Sequence, residues 1–402
     1  MSGDGRGLLV LAGGQFVSTA GLTVVVPLLP LHLEELGALG PSRQLWTGIV
    51  LAAPAVTLAL AAPLWGRAGD RWGRKPMVVR ALLGLAAALV LMALARTPAQ
   101  LLAARLLQGA FGGIAEAGAA FVTTASPAGA RGPMLGRLHA ATAAGALVGP
   151  LAGGPLADVV GLRAVLAAVA GLTAASALVG WVALREPAGT APAAGDVVPT
   201  VGGERTSAPG RRPGACLLAG FCAQAGAYGL VTVFAPHVRS LIPDPTRAGA
   251  WVGGLQAVTW AGSTLAAPWW GVRHERRAVE ANLGAALVVM AVAVALQAFV
   301  PSAWALLPLR VAQGWCAAAV VQGVLLAASR RVAPADQGSA IGGATSVLTA
   351  GQVAGALGGG LVTSVLIPPA AIVVFGAVVA VGAAGVLRAA AASSRYPVVV
   401  NP

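Results

Sequence analysis

Residues 105–109 read "RLLQG" and residues 310–314 read "RVAQG", so a similar pentapeptide returns after 205 residues. Two further pairs of similar segments have nearly the same spacing: "APLWG" ending at Gly66 with "APWWG" ending at Gly271, and "GALVGPLAGG" beginning at Gly145 with "GQVAGALGGG" beginning at Gly351. Three separated matches at almost one offset are not expected by chance, even in a chain with 55 glycines. We therefore predict that the fold consists of two similar halves.

The composition is typical of an integral membrane protein. Of the 402 residues, 57% are hydrophobic and only 10% are charged, and the mean hydropathy is +0.81. A helix of about 20 apolar residues crosses a hydrocarbon core about 30 Å thick. We predict an all-α integral membrane fold with twelve transmembrane helices in two pseudo-symmetric six-helix bundles. The predicted spans are 8–31, 45–64, 77–95, 100–123, 135–158, 164–184, 215–236, 248–269, 278–299, 303–328, 339–366 and 369–388.

The segment between the halves is rich in Pro, Gly and charged residues and has no periodic apolar face. Such a composition is typical of a flexible linker. We predict an N-terminal bundle over residues 1–184, a cytoplasmic linker over 185–214, a C-terminal bundle over 215–388 and a C-terminal tail over 389–402.

The net charge of +13 is explained by membrane topology. With the N-terminus inside, about 19 of the 26 Lys and Arg residues fall in cytoplasmic segments, where basic residues of membrane proteins collect. The reverse orientation would invert this rule. We therefore expect both termini in the cytoplasm of a multi-pass cell-membrane protein and no binding of nucleic acid.

Enzyme chemistry is not indicated. The four histidines lie near predicted helix ends without metal-ligand or catalytic-triad spacing, and the three cysteines lie in apolar runs without metal-ligand spacing. The ATP-binding pattern GxxxxGK[ST] does not occur. We expect no enzymatic activity, no cofactor and no metal site.

Residues 66–75, "GRAGDRWGRK", concentrate charge between the second and third predicted helices. The glycines permit a tight turn, and the basic side chains suit a cytoplasmic loop near lipid phosphates. An acid adds nothing to the positive-inside bias, so we expect Asp70 at the N-terminus of helix eleven, as a contact made in one conformation. The alternative is a solvated loop that only sets topology. The candidate gating residues are Gly66, Asp70, Arg71, Gly73, Arg74 and Lys75.

Glycines recur every four residues on the predicted fifth helix, at Gly145, Gly149 and Gly153. Such a stripe forms a groove without side chains where another helix can lie close. Pro150 removes a backbone donor and bends the helix, and Gly154 follows the stripe. Ordinary small-residue packing would also explain these glycines.

Together these segments resemble the signature of the major facilitator superfamily. The loop pattern "GxxxDRxGRK", "RLLQG" on helix four and "GALVGPLAGG" on helix five carry the resemblance, which covers nearly the whole chain. The last segment is similar to the antiporter motif of the twelve-helix drug/proton antiporters. The resemblance implies that this motif forms a moving seam against helix eleven. Two departures are the loop "GVRHERR", which lacks the acid equivalent to Asp70, and Ala356, which stands where the antiporter motif has proline.

Arg105 and Glu116 are eleven residues apart on predicted helix four and are expected on one face. A charge at mid-membrane costs about 2.5–3.5 kcal/mol on insertion scales, so it usually faces a cavity. Three roles are open for Glu116: a proton carrier whose pKa Arg105 tunes, a structural ion pair with Arg310, or a counter-charge for substrate. The family resemblance places Arg105 in the motif linked with proton coupling.

The resemblance also implies a central cavity lined by helices one, four, seven and ten. Buried amides need polar partners, which a substrate or water supplies, although helix-to-helix contacts are the alternative for each glutamine. The candidate cavity residues are Gln15, Gln108, Glu116, Gln224, Trp260, Arg310, Gln313 and Gln352.

We expect a secondary active transporter that exports drugs or amphipathic secondary metabolites by alternating access, coupled to protons. A facilitator or symporter that imports a sugar, amino acid or organic anion is the alternative, and a non-transporting membrane receptor or scaffold ranks last. The expected partners are membrane lipids, a small-molecule substrate and protons, and the expected state is a monomer.

Overall fold

The computed structural model describes residues 2–125, 131–186, 214–330 and 337–394. Every regular element in these ranges is a helix, which confirms the predicted all-α class. The thirteen α-helices of the described residues are α1 (Ser2–Glu35), α2 (Gly40–Trp72), α3 (Arg74–Leu94), α4 (Pro98–Ala110), α5 (Ile114–Ala125), α6 (Arg131–Val160), α7 (Leu162–Ala183), α8 (Gly214–Leu241), α9 (Ala248–Arg276), α10 (Val279–Leu296), α11 (Leu306–Ser329), α12 (Gln337–Val365) and α13 (Pro368–Ser394).

Within the described ranges, ten helices are long and apolar enough to cross a membrane. The predicted fourth span corresponds to α4 and α5 together, and the predicted eighth span to α9, and these three helices are not among the ten. Most of the predicted linker and of the predicted tail lies outside the described residues. Helix α13 nevertheless runs to Ser394, past its predicted end at residue 388.

The prediction of one continuous helix over residues 100–123 is wrong, because the helix breaks at residues 111–113. Gly113 has φ +91°, a left-handed conformation that glycine adopts without steric cost. The repeat-related helix α11 has Ala317 and Ala318 where the break has Gly112 and Gly113, and α11 is continuous. The pair of glycines therefore accounts for a break in one half only.

Side chains of α2 and α3 hold the carbonyl groups that the break leaves free. The indole N–H of Trp65 donates to the Ala110 carbonyl at 2.6 Å, and the Arg80 guanidinium donates to the Gly112 carbonyl at 3.1 Å. Arg80 also stacks 3.8 Å above the Trp65 ring. Non-helical backbone at membrane depth is tolerated where protein groups satisfy it in this way.

The contacts of the N-terminal half (α1–α7) recur in the C-terminal half (α8–α13). Helix α1 packs on α6 and α3 on α7, as α8 packs on α12 and α10 on α13. The indole of Trp270 donates to the Trp315 carbonyl at 2.8 Å, which repeats the bond from Trp65 to Ala110 after 205 residues. The sequence duplication is thus also a duplication of side-chain contacts.

Helices α11 and α9 touch backbone to backbone at Gly314. A Cβ atom added there would collide with the Thr259 carbonyl oxygen, and Gly109 meets Pro54 in the same way in the N-terminal half. Small residues at such crossings let helices approach closely within a membrane.

We predict that Gly314→Ala destabilises the protein by about 1–3 kcal/mol, because the clashing atom belongs to rigid backbone. The measurement is the thermal unfolding midpoint of the purified protein in detergent. Gly66→Ala is the matched control, since a Cβ there meets nothing within 4 Å. Equal midpoints for the two variants would contradict the proposed close contact.

Candidate functional site between the two halves

Two buried arginines occupy repeat-related positions on α4 and α11. Arg105 is 2% exposed, and it donates to the side-chain oxygen of Gln108 at 2.7 Å and to the Val50 carbonyl at 3.3 Å. Each arginine lies three residues before its glutamine, so one helical turn brings the pair together. The predicted coupling residue Arg105 and the predicted cavity residue Gln108 are thus in direct contact.

Arg310 has a similar set of neutral partners. It is 3% exposed and donates to the side-chain oxygens of Gln313 at 3.0 Å and Gln256 at 2.9 Å. Its guanidinium lies 3.8 Å from the centre of the Phe234 ring, and Gln297 donates to the same Gln313 oxygen at 3.0 Å. Amide oxygens and an aromatic face therefore surround this cation.

Both arginines lie where the two halves meet. A small pocket beside Arg310 is lined by Gln256, by Leu230, Val231 and Phe234 of α8, and by Pro27 of α1 in the other half. The phenol of Tyr228, also on α8, is close enough to Arg105 to interact with it electrostatically. The site is therefore shared between the halves.

Glu116 is not among the hydrogen-bond partners that the structure gives for Arg105 and Arg310. It is exposed in the first turn of α5, after the break, and no ion-pair partner for it is found among the described residues. The expectation that Arg105 and Glu116 share one face of a continuous helix is wrong, because residues 111–113 interrupt that helix. Arg310 bonds to amides, so the expected pair with Glu116 is not formed either.

The other predicted cavity residues have separate environments. Gln15 on α1 is buried, with its amide nitrogen 3.5 Å from the Thr19 hydroxyl, and its side-chain oxygen has no hydrogen-bond partner in the described part of the chain. Gln224 on α8 and Gln352 on α12 are half-buried, and Trp260 on α9 is 38% exposed. None of the four makes a hydrogen bond to either arginine within the described ranges.

The glycine stripe of α6 packs within its own half. Added Cβ atoms at Gly145 and Gly149 would collide with backbone of α1, and one at Gly153 would collide with Val24 of α1. The expected contact of this motif with helix eleven, here α12, is therefore wrong. A stripe of glycines favours close approach without specifying the partner helix.

Two seams between the halves are related by the same repeat. In one, Gly154 of α6 packs against Gly253 of α9; in the other, Gly360 of α12 packs against Gly48 of α2. The carbonyl of Pro150 contacts Gly253 much as the carbonyl of Ala356 contacts Gly48, so the seam forms with or without the proline.

Charged groups hold the halves together at one end of the molecule, which we call the Glu34 end. The Glu34 carboxylate of α1 accepts from Arg43 of α2 at 2.6 Å and from Arg239 of α8, in the other half, at 3.1 Å. Arg43 and Arg239 thus approach one carboxylate from the two halves.

A second tie at the Glu34 end caps a helix. The Asp158 carboxylate accepts from the backbone N–H groups of Gly249 at 2.8 Å and Ala250 at 2.6 Å, at the start of α9. An acid at a helix N-terminus is favoured by the aligned peptide dipoles. The repeat-related Ser364 instead donates to the Leu361 carbonyl of its own helix at 2.7 Å. The charged cap therefore strengthens only the α6–α9 seam.

At the opposite end, which we call the Gly73 end, the stretch 66–75 is helical rather than a loop. Helix α2 continues through Gly66 and Arg71 to Trp72, and Gly73, with φ +97°, makes the turn into α3. The side chain of Asp70 lies outside the described residues.

A different acid caps α3. The Glu186 carboxylate accepts from the backbone N–H groups of Arg74 at 2.5 Å and Lys75 at 2.9 Å, and the Lys75 ammonium lies 5.0 Å from the centre of the Trp181 ring. Sequence reasoning missed Glu186, because it follows the sixth apolar run and is 111 residues away from Lys75.

We predict that Glu34→Gln loosens the Glu34 end, because the neutral amide loses both arginine ion pairs. Spin labels at Leu39→Cys and Pro243→Cys, in a background with the three native cysteines replaced by Ala, report the separation between the halves by pulsed electron paramagnetic resonance. We expect a larger population of long distances.

Arg247→Gln is the matched control, since it removes an exposed ion pair with Asp244 at the same end, and this pair lies within one half. Unchanged distances in the Glu34 variant would show that the carboxylate does not hold the halves together.

Comparisons with known proteins agree with this architecture. The chain is 37% identical over 383 residues to the staphyloferrin B transporter of Staphylococcus aureus, which covers 91% of this chain and 88% of that protein. It is 40% identical over 182 residues to the multidrug resistance protein MdtG of Yersinia enterocolitica, a match that spans less than half of each protein.

Solved structures share the fold at low sequence identity. A bacterial homologue of the human lysosomal transporter Spinster has a TM-score of 0.79 at 16% identity and covers 97% of both chains. The nucleoside transporter NupG has a TM-score of 0.72 at 16% identity and covers 97% of this chain and all of that one. These relatives and neighbours are transporters and not enzymes. The family model of the Major Facilitator Superfamily matches residues 11–241 and 216–398, and the chain belongs to this superfamily of multi-pass membrane transporters.

Proposed function

We propose that this transporter exports amphipathic small organic molecules from a bacterial cell by alternating access, with protons as the driving ion. The observation that carries the proposal is a polar site shared by two duplicated halves, which are tied at the Glu34 end by ions and glycine seams. Relatives that include a siderophore transporter and a multidrug resistance protein support export of small molecules.

We propose twelve spans with both termini in the cytoplasm, α4 and α5 forming the fourth span and α9 the eighth. The N-terminal bundle is then 1–184 and the C-terminal bundle 215–388, joined by the linker 185–214, with residues 389–402 as the tail. The basic residues of 66–75 support placing the Gly73 end in the cytoplasm. In that orientation the Glu34 end faces outward and is closed.

Transport would then require the ties at the Glu34 end to separate. The partners of Glu34 and Asp158 in the other half, Arg239 and the start of α9, would be exchanged for water as the two halves rock apart. At the two seams the contacting residues Gly154 and Gly360 have no side chains. Few interlocked side chains therefore oppose the separation of the two halves at these seams.

Glu116 is the proposed proton carrier, with Arg105 as the positive group that acts in coupling. The exposed carboxylate of Glu116 lies in the first turn of α5. The gating residues of 66–75 and the seam residue Pro150 are proposed to act in closing the passage between the halves. Arg105 bonds to Val50 and Gln108 and not to Glu116. This favours a second candidate function, a facilitator that moves its substrate without proton coupling.

The test begins with growth of cells on a panel of toxic compounds, with and without expression of the chain. A compound to which expression confers resistance is then used in everted membrane vesicles with an imposed pH gradient. We expect gradient-driven uptake by wild type and its loss in Glu116→Gln, because an amide carries no proton.

Glu275→Gln is the matched control, since Glu275 is also exposed but lies near the end of α9. Uptake by Glu116→Gln at the wild-type rate would remove Glu116 from the coupling mechanism. Uptake that does not depend on the imposed pH gradient in wild type or in either variant would favour the facilitator.

A further inference from the structure

Arg105 and Arg310 are two buried cations, one in each half, and the described residues include no buried Asp or Glu. We propose that the site between the halves binds an organic anion, whose carboxylate groups these two guanidinium groups hold. The inference rests on the proposed function, because it assumes that the shared site is the substrate site, and it names the substrate class.

The cost of burying these charges supports a ligand. A cation at the centre of a membrane helix costs about 2.5–3.5 kcal/mol on insertion scales, and ionisable residues inside membrane helices commonly mark substrate or ion pathways. Here each guanidinium is held by neutral acceptors: Gln108 and the Val50 carbonyl for Arg105, and Gln313 and Gln256 for Arg310. These acceptors orient the guanidinium groups without cancelling their charge.

The hydrogen bonds of Arg310 are also incomplete. A guanidinium has five N–H donors, and the structure occupies one on each terminal nitrogen, while the Arg310 Nε has no partner within the described residues. Arginine and carboxylate groups pair through two parallel hydrogen bonds, so a carboxylate matches the geometry that remains. A carboxylate would also remove the electrostatic cost of the buried cation.

The surroundings indicate an organic anion. The small pocket beside Arg310 is lined by Pro27, Leu230, Val231 and Phe234, so the carbon skeleton of a ligand would meet apolar side chains there once the halves move apart. A cationic amphiphile would meet two like charges here and no buried carboxylate among the described residues.

The test measures ligand binding to the full chain in phosphatidylcholine nanodiscs, whose lipids carry no net charge. The probes are benzoate, succinate and citrate, the corresponding methyl esters, sodium chloride and tetraphenylphosphonium. Calorimetry and the thermal unfolding midpoint give affinity and stabilisation. We expect the di- and tricarboxylates to bind and the uncharged esters to lose at least tenfold in affinity.

Substitutions separate charge from folding. Arg105→Gln and Arg310→Gln should each weaken citrate binding at least tenfold, whereas Arg310→Lys keeps the charge and should retain part of it. Arg163→Gln is the matched control, since Arg163 bonds to the Ala95 carbonyl away from the site and its loss should leave citrate binding unchanged. The unfolding midpoints without ligand show whether each variant folds.

Three outcomes would overturn the proposal. The first is binding of tetraphenylphosphonium without binding of any carboxylate, and the second is equal affinity for citrate and its methyl ester. The third is an increase in the unfolding midpoint with chloride that equals the increase with citrate at the same concentration of negative charge. Citrate binding that survives both glutamine variants would place the anion elsewhere and overturn it as well. Arg-dependent citrate binding without vesicle transport would instead leave the anion site standing and refute the proposed transport. Export of a cationic compound at the same rate by wild type and Arg310→Gln would refute the anion site and leave the proposed transport standing.

Discussion

A buried guanidinium must keep its hydrogen-bond donors occupied, since a charge without partners in an apolar interior is strongly destabilising. In this protein each arginine meets part of this requirement through a glutamine three residues later, at Gln108 and Gln313. Further acceptors come from neighbouring helices, the Val50 carbonyl of α2 and Gln256 of α9. The orientation of α4 and α11 toward the shared site follows from these bonds.

The duplication is the part of the architecture that the sequence predicts best. The three repeated segments correspond to real contacts: Trp65 and Trp270 make the same indole bond, and Gly154 and Gly360 form related seams. Gln256 is not among the predicted cavity residues, because its contact with Arg310 joins residues 54 positions apart in the sequence. Apolar runs give the lengths of helices but no distances between them.

Three features of the fold cannot be predicted from the apolar pattern. The break between α4 and α5 lies inside a continuous apolar run, and only the comparison of Gly112 and Gly113 with Ala317 and Ala318 explains it. The partner of the α6 stripe was predicted wrongly because glycine spacing reports a close approach and not which helix makes it. The helix caps formed by carboxylates from distant segments are equally hard to foresee, as the neighbouring sequence does not contain both partners.

The cap on α9 has a consequence for how the molecule opens. Because Asp158 binds the first N–H groups of α9 while Ser364 turns back to its own helix, the two related interfaces differ in strength. For the alternating access proposed above, we therefore expect asymmetric opening at that end, with the α2–α12 interface separating before the α6–α9 interface, which has the additional hydrogen bonds of Asp158.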